Sequence, residues 1–152
     1  MMNRKNDAIN NFYEGYNCCQ AVVLAFKDLL PIDEKTLLEM SSSFGGGISR
    51  LRETCGAVSG MAIVLGLLYG YSDPKSQEKK TNHYARVQEV ILKFEEKNHS
   101  LVCRELLKLQ DRHSAPIPTV RTKDFYNSRP CVKLIGDATD LLEEYIKEHP
   151  CI

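Results

Sequence analysis

The run Cys55–Ser72, CGAVSGMAIVLGLLYGYS, decides how this chain is read. Its 18 residues carry no charge, a length at the lower limit for a helix that spans a bilayer. Gly56 with Gly60, and Gly66 with Gly70, form small-xxx-small pairs, which let helices approach closely in membranes and in soluble cores alike. No aromatic and basic flanks frame the run on both sides, as they frame membrane spans. The run therefore predicts a buried central helix over Cys55–Tyr69, capped by Thr54 and ended by Gly70, with no stable membrane insertion.

The neighbouring segments carry helical periodicity, and none alternates apolar and polar residues as a half-buried strand does. On the N-terminal side, a helix from Asn3 to about Tyr13 presents Ile9, Phe12 and Tyr13 until Gly15 interrupts it. Asn17 and Gln20 make an Asn-x-x-Gln variant of the capping box, so Cys18 opens a second helix, which Pro31 ends. Asp33 caps a third through Leu37, Leu38 and Met40. The triple glycine Gly45–Gly47 stops it and marks an unusual backbone path into the linker Ile48–Glu53.

On the C-terminal side, Asp73-Pro74 reads as the start of a long amphipathic helix with Tyr84, Val87, Ile91 and Phe94 on its buried face and Asn98 at its end. Ser100 caps a short helix with Cys103 in its first turn. Asp111–Ser128, with Pro116 and Pro118, reads as a surface loop. Ser128 and Pro130 then open a last helix, with Cys131 in its first turn and Leu134, Ile135, Ala138, Leu141, Leu142 and Tyr145 buried. The expected fold is all-α: a bundle of about six helices around the Gly-rich apolar one, with residues 1–152 as a single helical domain.

Twenty basic residues balance twenty acidic ones, so no net field recruits nucleic acid, which is not an expected partner. Met1–Asn11 carries Arg4, Lys5 and Asp7 and lacks the apolar core of a secretory signal, which points to the cytoplasm. In a reducing compartment six cysteines read as metal ligands or redox thiols rather than a disulfide frame.

Four of the six, Cys18, Cys55, Cys103 and Cys131, fall at or within one turn of a predicted helix start, each in a different helix. A helix N-terminus carries about half a positive charge and unpaired N–H groups, so it is expected to favour thiolates and lower their pKa values. If the four starts converge, they assemble a thiolate site whose mutual repulsion a metal or cluster would neutralise. One cysteine alone is more often a small apolar filler, but filler has no reason to prefer helix starts. Cys19 points about 100° around the helix from Cys18, and Cys151 lies in the tail, so both are accessory. His99 and His113 are candidates for a mixed ligand set. No Cys-x-x-Cys pair, haem-attachment motif or Ser-His-Asp arrangement occurs, and Gly45–Gly47 lacks the Lys-Ser/Thr ending of a phosphate loop.

The residues Tyr16-Asn17-Cys18, Phe44-Gly45-Gly46-Gly47, Thr54-Cys55-Gly56-Ala57-Val58-Ser59-Gly60, Cys103-Arg104-Glu105-Leu106-Leu107 and Cys131 resemble the C-GCAxxG-C-C family, described as putative redox-active proteins. The resemblance runs from about Phe12 to Tyr145, although the family label writes Gly-Cys-Ala where this chain has Cys55-Gly56-Ala57. It implies that Cys18, Cys55, Cys103 and Cys131 are the family's cysteine set, with Cys19 and Cys151 outside it. A similar pattern is associated with the iron-sulfur part of split-Soret cytochromes c, and the family with transporter loci.

The leading expectation is thus an iron-sulfur cluster or other metal centre on these four cysteines, serving electron transfer or redox sensing with an unidentified redox partner. The alternatives are a tetrathiolate zinc site, a metal-free thiol-disulfide oxidoreductase using Cys18 or Cys55 as nucleophile, and a helical interaction module. The last would dimerise through the small-residue face around Gly60.

Overall fold

Short polar side chains that imitate a turn of backbone set the first helix boundaries. In the computed structural model, which describes residues 2–151, Asn3 accepts from the Asn6 N–H and starts α1 (Arg4–Tyr13). Gly15, at φ +108°, leads out of it. The Asn17 side chain accepts from the Gln20 N–H at 2.8 Å while the Gln20 side chain accepts from the Asn17 N–H at 3.1 Å. The predicted capping box is therefore closed, and Cys18 is the first residue of α2 (Cys18–Leu24). Asp33 caps α3 (Glu34–Ser41) through the Thr36 N–H.

The central run forms α4 (Gly56–Tyr69), followed by α5 (Gln77–Asn98), α6 (Cys103–Leu106), α7 (Lys123–Ser128) and α8 (Cys131–Glu148). The fold is all-α, with eight helices among the described residues rather than about six, α6 and α7 being short. Six boundaries differ from the sequence reading. α2 ends at Leu24, and a tighter turn, Lys27–Leu29, fills the stretch before Pro31. α3 ends at Ser41, and the turn Ser42–Phe44 precedes the glycines that were expected to stop it. Thr54 is not a cap but pairs with Val102 in an isolated antiparallel bridge, so Cys55 itself holds the cap position of α4. Asp73 receives the Lys75 N–H in a separate turn, and Ser76 caps α5. Ser100 receives the Val102 N–H, one residue before α6 begins. The expected loop Asp111–Ser128 contains α7, capped by Thr122, so Ser128 ends that helix instead of opening the last one.

α4 lies at the centre because it has little polar surface to keep wet: α2, α5 and α8 pack against it, and α1 lies along α8. Its glycine face is occupied within the chain, since a Cβ on Gly60 would stand 3.0 Å from Val22 Cβ of α2. Met61 and Leu65 of α4 are fully buried, as are Phe26, Leu37, Phe94, Ile135 and Leu142 from the rest of the chain. Burial of each such side chain contributes roughly 1.5–3 kcal/mol. No helix among the described residues is long and apolar enough to cross a membrane, and α4 has 14 residues.

Candidate functional site

The glycines beside the cysteines allow the four helix starts to meet. Past Phe44 the backbone turns left-handed: Gly46, Gly47, Ile48, Ser49 and Arg50 have φ between +48° and +70°, and Arg52 follows at +61°. Non-glycine residues there cost about 1–2 kcal/mol each, so surrounding contacts must hold the segment. The Arg52 and Glu53 N–H groups bond to the Gly46 and Gly47 carbonyls at 3.2 and 2.9 Å, and Ser114 N–H bonds to the Arg50 carbonyl at 2.9 Å. Gly47 has a second constraint, since a Cβ there would lie 2.6 Å from Cys103 Cβ and 2.7 Å from Glu53 N. At Gly56 a Cβ would overlap the Cys18 sulfur.

Segments distant in sequence then bring Cys55 beside Cys103. Cys55 N–H donates to the Leu101 carbonyl at 2.8 Å, and Cys103 N–H to the Glu53 carbonyl at 2.6 Å. Cys103 and Cys131 are the first residues of α6 and α8, and Cys18 is the first of α2. All four line one cavity of about 330 Å³. Cys55 and Cys103 are buried, Cys18 and Cys131 half-buried, and none is in a disulfide. Cys19 lies in the core and Cys151 is exposed; neither they nor His99 and His113 line the cavity.

The charged residues of the lining are Arg50, Arg52, Arg121 and Arg129, and no Asp or Glu joins them. Sequence reasoning missed all four. Arg52 Nη1 donates to Cys103 Sγ at 3.6 Å. Arg121 stacks 4.3 Å from the Phe12 ring centre and donates to the Phe12 and Tyr16 carbonyls, fastening the segment before α7 to the end of α1. The thiols surround the cavity rather than meet at a point: among the described residues no group of three or more Cys, His, Asp and Glu could hold a metal ion as they stand.

The expected lowering of thiol pKa values is overturned for Cys18, Cys55 and Cys131. Burial pushes Cys18 up, outweighing the Gly46 and Cys19 N–H groups that face its sulfur. Burial and then the neighbouring Cys18 hold Cys55 well above its ordinary value, despite the Ala57 and Val58 N–H groups of the α4 start. Burial, then Cys18, raise Cys131 from 9.0 to about 12, with Arg129 opposing. Withdrawal from water costs these thiolates more than helix ends return.

Fold and site together define an all-helical protein with four cysteine-bearing helix starts around one cation-lined cavity. A family model described as "Putative redox-active protein (C_GCAxxG_C_C)" matches residues 16–145, and the chain belongs to that family. No curated protein and no solved structure matches the chain.

Proposed function

We propose that this chain is an electron carrier or redox sensor whose Cys18, Cys55, Cys103 and Cys131 hold an iron-sulfur cluster, working with a separate redox partner in the reducing cytoplasm. The observation that carries this reading is the arrival of all four thiols, from four helix starts, at one cavity without an acidic side chain. A cluster on four thiolates is anionic, and the lining suits it: N–H groups face Cys18 and Cys55, and a guanidinium faces Cys103. A single zinc ion fits less well, because four bonds of about 2.3 Å need the sulfurs drawn into one small shell, whereas the thiols stand around a cavity. A metal-free nucleophilic thiol at Cys18 or Cys55 is disfavoured by the burial that keeps both protonated. When bound, the cluster would supply reversible one-electron chemistry. The chain's part is to hold the thiolates, release their protons on loading, and exclude water through Leu106, Leu107, Pro116 and Pro118 of the lining.

Iron, acid-labile sulfide and the visible spectrum, measured on protein purified without oxygen, test the reading. Iron and sulfide in the native chain, lost from a folded Cys55→Ser variant, are expected. Zinc alone, neither metal, or equal iron in both proteins would overturn it.

A further inference from the structure

We propose that the arginine side of this cavity is a binding site for a small, doubly charged oxyanion of the phosphate or sulfate class, held by Arg50, Arg52 and Arg129. Among the described residues, the arginine ion pairs are those of Arg4, Arg104 and Arg112 with acidic partners. Arg50, Arg52 and Arg129 have none, although Arg52 is only 2% exposed. A buried guanidinium without a counter-charge is costly, and three in one cavity wall repel each other. Burial first, and then the neighbouring Arg52 and Arg129, put the Arg50 guanidinium below its ordinary range.

The three cations are held in place rather than left to spread into solvent. Arg50 Nε donates to the Ala115 carbonyl at 2.6 Å and its Nη1 to Thr119 Oγ1 at 3.1 Å. Arg129 Nη2 meets the same Thr119 oxygen at 3.4 Å, and Arg52 Nε donates to Ser114 Oγ at 2.9 Å. Arg50 and Arg52 are delivered by the left-handed segment after Gly47, and backbone held in such regions gathers at ligand clamps. Fixed guanidiniums with nitrogens to spare are suited to a multidentate oxyanion. Leu106, Leu107 and Pro118 line the same cavity and would receive the apolar body of an ester.

This site does not depend on the cluster. Binding is measured calorimetrically on the full chain after treatment with chelator and reductant, so that iron and sulfide content judges the cluster reading separately. Sodium sulfate, sodium phosphate and phenyl phosphate are titrated against sodium chloride of equal ionic strength. Saturable binding is expected, weakened about tenfold or more in Arg50→Gln/Arg129→Gln and kept in Lys75→Gln/Lys79→Gln, which removes equal charge from the surface. Stronger binding of phenyl phosphate would identify an organic ester as the ligand, and equal binding a free oxyanion. Binding no better than chloride, or equal losses in the two double variants, would overturn the proposal. If the arginine pair does not fold, Arg129→Gln alone, at a half-buried position, gives the same readout.

Discussion

Two glycines of one helix have opposite work. At Gly56 the space for a side chain is already filled: the Cys18 sulfur overlaps it, and the Phe44 carbonyl oxygen would be 2.9 Å from an added carbon. The carbonyl belongs to backbone and cannot swing away, so Gly56→Ala must push α2 from α4. We expect a loss of about 1–3 kcal/mol, the usual cost of overpacking, and a lower iron and sulfide content through displacement of Cys18. Gly66, ten residues along, has nothing within 4 Å of the same added carbon. Gly66→Ala should therefore stabilise the chain by roughly 0.5–1 kcal/mol through helix propensity alone. Urea midpoints of the two variants, with the spectrum of each, check both signs; a neutral Gly56→Ala would mean that Cys18 is not packed against α4 as described.

Whether a cysteine reaches the cavity depends on the helix it opens, and α2 shows how local that control is. Asn17 closes the capping box with Gln20 and also donates from Nδ2 to the Ser42 carbonyl at 3.1 Å, tying the start of α2 to the end of α3. Asn17→Ala should cost about 1–2 kcal/mol, measurable as a lower denaturation midpoint, and no change would show that the cap is dispensable. This boundary was legible in the sequence because donor and acceptor lie three residues apart, and so was the Asp33 cap. The central helix and its burial were legible in the uncharged run itself. Thr54 was misread because its partner, Val102, is nearly fifty residues away and its extended bridge has no local signature. The same long-range pairing sets Cys103 beside Cys55, so the cysteines could be selected from helix starts while their meeting could not be derived. The arginines were hidden further: Arg50 and Arg52 follow a left-handed turn, and Arg121 and Arg129 flank a short helix inside what read as loop.

Burial of thiols couples the site to the stability of the entire chain. The sign follows from proton binding: Cys18, Cys55 and Cys131 hold their protons more tightly folded than unfolded. Below the unfolded value, 9.0, both states keep the protons and the full stability is present; above it the unfolded chain releases them and gains. Stability of the cluster-free chain should therefore fall from about pH 9 toward pH 12, the folded value of Cys131, with Cys18 and Cys55 adding to the slope. Lysine and tyrosine titrate in the same window, so the comparison is with Cys131→Ala, whose stability should fall less steeply over pH 8.5 to 10.5 after correction for its cavity at neutral pH. Equal slopes would mean that the Cys131 thiol is wetter than its surroundings indicate. At neutral pH the same linkage predicts slow alkylation of Cys18, Cys55 and Cys131 beside the exposed Cys151 in cluster-free protein, read by mass spectrometry of timed iodoacetamide samples. A cluster would reverse the balance, because ligands must be deprotonated to bind metal. Loading should then release protons and strengthen as pH rises, while the empty fold weakens, so the two pH trends together separate a cluster-binding cavity from thiols buried only as packing.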